Sequence, residues 1–181
     1  GSRRFLAGRR HAMITLYHGS SVKVEHPLVH LGRIDLDFGQ GFYLTCLREQ
    51  AEAWATIICS RRKSASTPWL NEYQFDMETA IAQGYKLLRF DTYNRDWLDF
   101  IANSRKGNCP WKGYDIIEGG VADDRVINAV ENYLNGQADV DFTLKQLAYH
   151  KPNHQICLLN QQMVDNFLHY ISSEPVIIKE E

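Results

Sequence analysis

Apolar residues recur along this chain at two spacings, and each change of spacing marks an expected element. The run Met13 to Tyr17 reads as a first strand, and Phe42 to Thr45, rich in strand-forming types, as a second. Between Leu47 and Ser60, the residues Ala51, Trp54, Ala55 and Ile58 fall at the spacing of one helical face. Ser64 to Pro68 breaks the chain before two further strands, Trp69 to Phe75 and Lys86 to Phe90. Asn94 caps a helix to about Ser104, with Trp97, Leu98 and Ile101 on one face. Lys106 to Gly113 is a turn region, and Tyr114 to Gly120 a short strand entering a glycine turn. Asp123 or Asp124 starts a helix to Leu134 that Gly136 stops. A short helix at Asp141 to Ala148, a strand at Gln155 to Leu159, a helix at Gln161 to Leu168 and a strand at Glu174 to Ile178 complete the order. Neither linker nor repeat interrupts it, so the pattern predicts one α+β domain over residues 13–181.

Composition changes this picture little. The 181 residues suffice to bury a substantial core, and 44% hydrophobic with 23% charged residues is a globular balance. No apolar run approaches the roughly 18 residues a membrane span needs, and no signal-peptide pattern appears. The expected location is cytoplasmic, with no membrane partner. Residues 1–12 carry Arg3, Arg4, Arg9 and Arg10 and read as an expression remnant or loose basic lead before Met13. Without them the formal charge falls from −2 to −6, which argues against non-specific nucleic-acid affinity. Arg61, Arg62 and Lys63 make a local basic patch, read as a solvated helix end. Cys46, Cys59, Cys109 and Cys157 contain no Cys-x-x-Cys pair, and Pro27 separates His26 from His30. The expected state is reduced thiols and no metal site.

Candidate chemistry concentrates in two segments. Asp37 to Thr45 holds Gly39 and Gly41, which permit tight turning and close approach to a flat ligand. Phe42 and Tyr43 follow, and on a strand they point to opposite faces, one to core and one to a cleft. Upstream stands Leu16-Tyr17-His18-Gly19-Ser20. Together the two segments resemble the ADP-ribosyltransferase superfamily, in its diphtheria-toxin and poly(ADP-ribose) polymerase branch. There His-Gly-Ser or His-Gly-Thr on a first strand precedes Phe-Gly-x-Gly-(Ile/Phe)-Tyr and a helix. A narrower resemblance is to a bacterial family of unknown function in that superfamily. It reads Leu-Tyr-His-Gly-Ser, Asp-Phe-Gly-x-Gly-Phe-Tyr-Leu-Thr and Tyr-Asp-Ile-x-x-Gly-x-Val-Ala-Asp-Asp, the last matching Tyr114 to Asp124.

The resemblance implies two roughly orthogonal sheets clasping a central cleft for NAD, used as substrate. It places His18 on a ribose hydroxyl, the Gly19 backbone on the nicotinamide amide, and Ser20 as a neighbouring donor. Tyr43 would stack on the nicotinamide ring over a loop held by Gly39 and Gly41. Asp37 and Arg33 are candidates for the adenosine and phosphate ends, with a solvated loop charge as the other reading of Arg33. The superfamily's third element is a glutamate opening a late strand, and here Gln155 occupies that place. Gln155 can accept the ribose 2′-hydroxyl bond but brings no charge to the cation that forms as the glycosidic bond lengthens. In the resembled superfamily, replacing that glutamate generally goes with single-unit transfer or, sometimes, lost activity, so the resemblance implies no chain building here.

Glu118, Asp123 and Asp124 are candidate auxiliary acids on a glycine-rich turn, with helix capping as the alternative for an aspartate. Tyr149, Asn153 and His154 stand where the resembled enzymes recognise their acceptor, though surface-loop chemistry also accounts for them. The expected activity is NAD-dependent mono-ADP-ribosylation of a macromolecule, protein before nucleic acid. A toxin with an antitoxin or inhibitor partner is the expected setting. Two other classes stay open: an NAD glycohydrolase, and a catalytically silent NAD- or ADP-ribose-binding module.

Overall fold

The computed structural model describes residues 13–62 and 66–177. The expected lead at 1–12, Lys63 of the basic patch, Ser64 and Ala65 of the chain break and Ile178 of the last strand lie outside them. The fold is α+β, with two sheets and six helices among the described residues. Strands β1 (Ile14–Ser20), β3 (Trp69–Phe75) and β7 (Leu168–Pro175) form one antiparallel sheet in the order β1-β3-β7. The other runs β2-β6-β5-β4, from β2 (Phe42–Leu44), β6 (Gln155–Leu158), β5 (Ile116–Gly119) and β4 (Leu87–Arg89). Only its β4–β5 pairing is parallel. The sheets touch where Tyr17 and Thr45 exchange backbone hydrogen bonds of 2.8 and 2.9 Å.

Strand alternation explains how the layers divide. Phe42, Leu44, Ile156 and Leu158 join Leu16, Tyr73 and Phe75 in a core shared by both sheets. Ile117 and Cys157 face the opposite side, where Trp97, Leu98 and Ile101 of α3 (Arg95–Arg105) meet Val130 of α4 (Ile127–Leu134) and Leu147 of α5 (Val140–Leu147). Every residue of β6 is consequently buried, which is why its sequence is an unbroken apolar run after Gln155. By the same alternation Tyr43, opposite Cys157, shares a face with Gln155. No described helix is long and apolar enough to cross a membrane.

Helix α1 (Arg48–Ser60) lies on β1, and Gly19 sets that contact. A Cβ there would stand 2.0 Å from the Ala51 carbonyl oxygen and 2.8 Å from the Ala55 nitrogen. Helix backbone cannot step aside as a flexible side chain would. Gly19→Ala is expected to destabilise the protein by about 3 kcal/mol, the upper part of the overpacking range. A shift of the urea midpoint at unchanged slope would measure it; an unshifted midpoint would show that β1 and α1 separate freely.

The structure corrects three expectations. The last strand occupies Leu168–Pro175 and follows α6 (Gln161–Phe167) directly, instead of starting at Glu174. Its polar residues His169, Ser172 and Ser173 disguise it in sequence, but pairing to β3 supplies the hydrogen bonds that local pattern cannot. Helix α2 (Met77–Ala82) is unanticipated, being too short for periodicity to reveal. Asp76 caps it by accepting from the Thr79 N–H at 3.4 Å. Finally, neither Asp123 nor Asp124 caps α4, whose N-cap is Val126 without a side-chain bond. The Asp123 carboxylate is turned to Arg125 and Asn153 instead.

Candidate functional site

His18 leaves β1 with its Nδ1 2.6 Å from the Tyr43 carbonyl oxygen. A carbonyl only accepts, so Nδ1 carries the proton and Nε2 is a bare acceptor. Burial lowers the His18 pKa to about 4, against the opposing pull of the Tyr43 carbonyl, so the ring is neutral at physiological pH. Its face lies on Phe42, with centroids 4.2 Å apart. The neighbouring Gly19 offers its backbone. Tyr17 spends both its N–H and C=O on Thr45, so the odd-numbered residues of β1 turn their polar groups away from β3. Gly19 follows that parity beyond the point where β2 diverges, and its N–H and C=O open on the cleft.

Tyr43 is held at its tip. Its hydroxyl donates to the Gly39 carbonyl at 2.7 Å and accepts from the Phe38 N–H at 3.1 Å. Gly39 has φ of +92°, and a Cβ there would overlap the Trp111 indole at 2.2 Å, so only glycine fits the loop. Burial pushes the Tyr43 phenol and the underlying Cys157 thiol far above their ordinary values, and both stay protonated. Gln155, 4% exposed, donates its amide nitrogen to the Gly120 carbonyl at 3.4 Å, and Trp97 Nε1 donates to the same oxygen at 3.1 Å. The Gln155 amide oxygen remains as an acceptor.

His18, Gly19, Asp37, Tyr43 and Gln155 line one cleft of about 500 Å³. Five residues that no sequence motif singled out for the site join them: Leu36, Trp54, Ile57, Ile58 and Arg105. Arg61, expected as a solvated helix end, lines it too. Arg105 forms an ion pair with Asp37 at 2.9 Å across a separation of 68 residues. No local pattern announces such a pair. As the last residue of α3, Arg105 is indistinguishable in sequence from a cation placed to suit the helix dipole.

The other candidates stand elsewhere. Arg33 is exposed and sits 3.8 Å from Asp35, outside the cleft lining. The Ser20 hydroxyl accepts from the Val22 N–H at 3.3 Å in a local turn. Gly41 packs beneath, where a Cβ would meet Cys157 Sγ at 2.5 Å. Glu118, Asn153 and His154 line a separate hollow of about 380 Å³. His154 Nδ1 accepts from the Cys46 N–H at 3.0 Å, so Nε2 holds the proton and donates to Glu118 at 2.9 Å. Burial alone would raise the Glu118 pKa, but His154 and Arg89, 3.0 Å away, together hold it below the usual range. Glu118 is therefore an ionised, fully tied carboxylate, unsuited to supply a proton as an auxiliary acid. Asp124 and Tyr149 are exposed, Tyr149 at 88%. A larger groove of about 580 Å³ over α3, lined by Asp91, Asp96 and Asp99, contains none of the candidates. Among the described residues, no cluster of His, Cys, Asp and Glu could hold a metal ion.

The depressed His18 pKa makes stability depend on pH. Between about 6.5 and 4 the unfolded chain binds a proton at His18 that the folded chain refuses. Unfolding free energy should therefore be level above that window, fall as pH drops through it, and lose up to about 3 kcal/mol by its lower end. Urea unfolding of wild type and His18→Asn across the window would isolate this contribution; identical pH slopes would refute it.

Residues 14–170 match the family described as "Protein of unknown function (DUF3990)". No curated protein and no solved structure matches the chain.

Proposed function

We propose that this chain, which belongs to the DUF3990 family, is an NAD-dependent mono-ADP-ribosyltransferase acting on a macromolecule. One observation carries the reading: a neutral histidine acceptor, an open strand-edge peptide and a tethered tyrosine ring converge on a single cleft. Those groups match the chemistry of a dinucleotide's nicotinamide half. The Gly19 N–H and C=O complement one edge of the carboxamide, where its oxygen accepts and the N–H on that side donates. His18 Nε2 accepts from a ribose hydroxyl. The Tyr43 ring offers a face to the pyridinium, with its hydroxyl tied at Gly39 and Phe38 so that it cannot turn away.

In the proposed transfer the bond between nicotinamide and ribose breaks, and nicotinamide departs with the electron pair. The ribose carbon takes on positive charge until an acceptor nucleophile bonds to it and releases a proton. The chain contributes by fixing both halves of the breaking bond and by placing the Gln155 oxygen as a hydrogen-bond acceptor on the ribose. Protein is favoured over nucleic acid as acceptor, because the domain is acidic over residues 13–181. A toxin restrained by an antitoxin is the setting this proposal favours.

A specific observation supports a second reading, a silent NAD- or ADP-ribose-binding module. Gln155 is buried and already bonded to Gly120, and it carries no charge where the resembled enzymes carry a carboxylate. Incubating the protein with labelled NAD and a bacterial lysate separates the two readings. Transfer predicts label that protease removes and nuclease spares, absent with His18→Ala. NAD binding with neither label nor released nicotinamide would establish the module, and nicotinamide released without label a glycohydrolase.

A further inference from the structure

The cleft has a second half that the nicotinamide-binding groups do not use. Arg105 gives its Nε to Asp37 Oδ1 at 2.9 Å, and its terminal nitrogens have no protein partner among the described residues. The ion pair is part-buried, with side-chain exposures of 26% and 16%, so the guanidinium is fixed rather than sweeping through solvent. Arg61, at the C-cap of α1, faces the same space. With His18 neutral, two guanidiniums oppose one carboxylate, and the cleft carries a positive balance inside an acidic domain. Beside them α1 presents an apolar strip of half-buried Trp54 with Ile57 (45%) and Ile58 (39%), adjoining Ala51 and Ala55, which are fully buried. Exposed apolar residues grouped within a concavity mark a binding surface.

We propose that Arg105 recognises a diphosphate in this cleft, and that the Trp54–Ile57–Ile58 strip receives the attached purine. In taking that ligand as half of a dinucleotide the proposal rests on the NAD reading above. The bond to Asp37 orients the guanidinium and leaves two terminal nitrogens as a fork for phosphate oxygens, a geometry that lysine cannot reproduce. Asp37 is thus a positioning residue. Arg33, the arginine first expected to meet the phosphates, is 77% exposed and paired with Asp35, and serves as a control.

Calorimetric titration of the full chain with ADP, adenosine and NAD tests the assignment. ADP is expected to bind the wild type, and Arg105→Gln to weaken ADP and NAD roughly 10- to 100-fold while leaving adenosine unchanged. Arg105→Lys should fall between, and Arg33→Gln should match the wild type. Equal ADP affinity in wild type and Arg105→Gln would overturn the proposal, as would a parallel loss of adenosine binding, which marks a structural role. NAD binding that ignores Arg105→Gln would overturn it while leaving the transferase reading in place. Arg105-dependent ADP binding without NAD binding would uphold the phosphate site and remove the transferase reading instead.

Discussion

Replacing His18 with Asn is expected to lower NAD turnover roughly 10²- to 10³-fold, the scale set by losing one preorganised polar group from a reaction centre. The substitution isolates the relevant nitrogen. An asparagine amide can donate to the Tyr43 carbonyl much as Nδ1 does, so the link between β1 and β2 is retained, while nothing replaces the Nε2 acceptor. His18→Ala removes both nitrogens and opens a void against Phe42, so its activity loss would mix chemistry with packing. Nicotinamide release by both variants, with their melting temperatures, separates the effects. Both should show that loss of turnover, and His18→Asn should melt nearer the wild type. Full turnover by His18→Asn would show that the ring acts only as a strut.

Gln155→Glu should accelerate transfer about tenfold to a hundredfold. A charged acceptor on the ribose contributes roughly 1.5–3 kcal/mol, against about 0.5–1.5 for the neutral amide, and it also stabilises the cationic transition state. The exchange is sterically mild, and the Gly120 carbonyl keeps its bond from Trp97 Nε1 when the Gln155 donor goes. The position is nearly fully buried, so desolvation would raise the new carboxyl's pKa. Two pH signatures follow. The rate gain should vanish as pH falls through that raised pKa. Stability should decline as pH rises between the unfolded and folded pKa values, opposite in sign to the His18 effect, because here the folded chain holds the extra proton. Initial rates and urea midpoints over pH 4–8 would reveal both. No acceleration at any pH, with NAD still bound, would favour the binding module.

The two hollows lie on opposite sides of the second sheet. Glu118 lies in register with Ile156, and Gln155 lies on the neighbouring position with Gly119. Adjacent strand positions face opposite sides of a sheet, so the Glu118–His154 pair and the Gln155 cleft are divided by the backbone of β5 and β6. Glu118 reaches its own partners instead, Arg89 and His154.

Much of the fold was legible because each local signal agreed with its tertiary role. Trp97, Leu98 and Ile101 face the core, and Asn94 caps α3 by accepting from the Trp97 N–H at 3.0 Å. The glycine loop before Tyr43 also reads directly, since the left-handed turn at Gly39 is a property of one residue. The misreadings have one cause. Strand β7 exists through its partner β3, and its polar residues carry no local strand signal, so the pattern predicts a strand only from Glu174. Asp123 resembled a cap, but Arg125 and Asn153 compete for its carboxylate and leave α4 to start at Val126.

By itself, the sequence determined most element types and the buried face of a periodic segment such as α3, because side-chain spacing acts over a few residues. His18, Gly19, Tyr43 and Gln155 are named together by the resemblance, and in the structure all four line one cleft. Tertiary structure alone decided which charges share the cleft. Asp37 meets Arg105 rather than Arg33 because α3 packs its C-terminal end against the loop before β2, and the exposed strip of α1 joins them because Gly19 lets α1 settle onto β1. Coulombic and packing partners depend on distance in space, and a one-dimensional pattern carries that distance only where neighbours in sequence are neighbours in the fold.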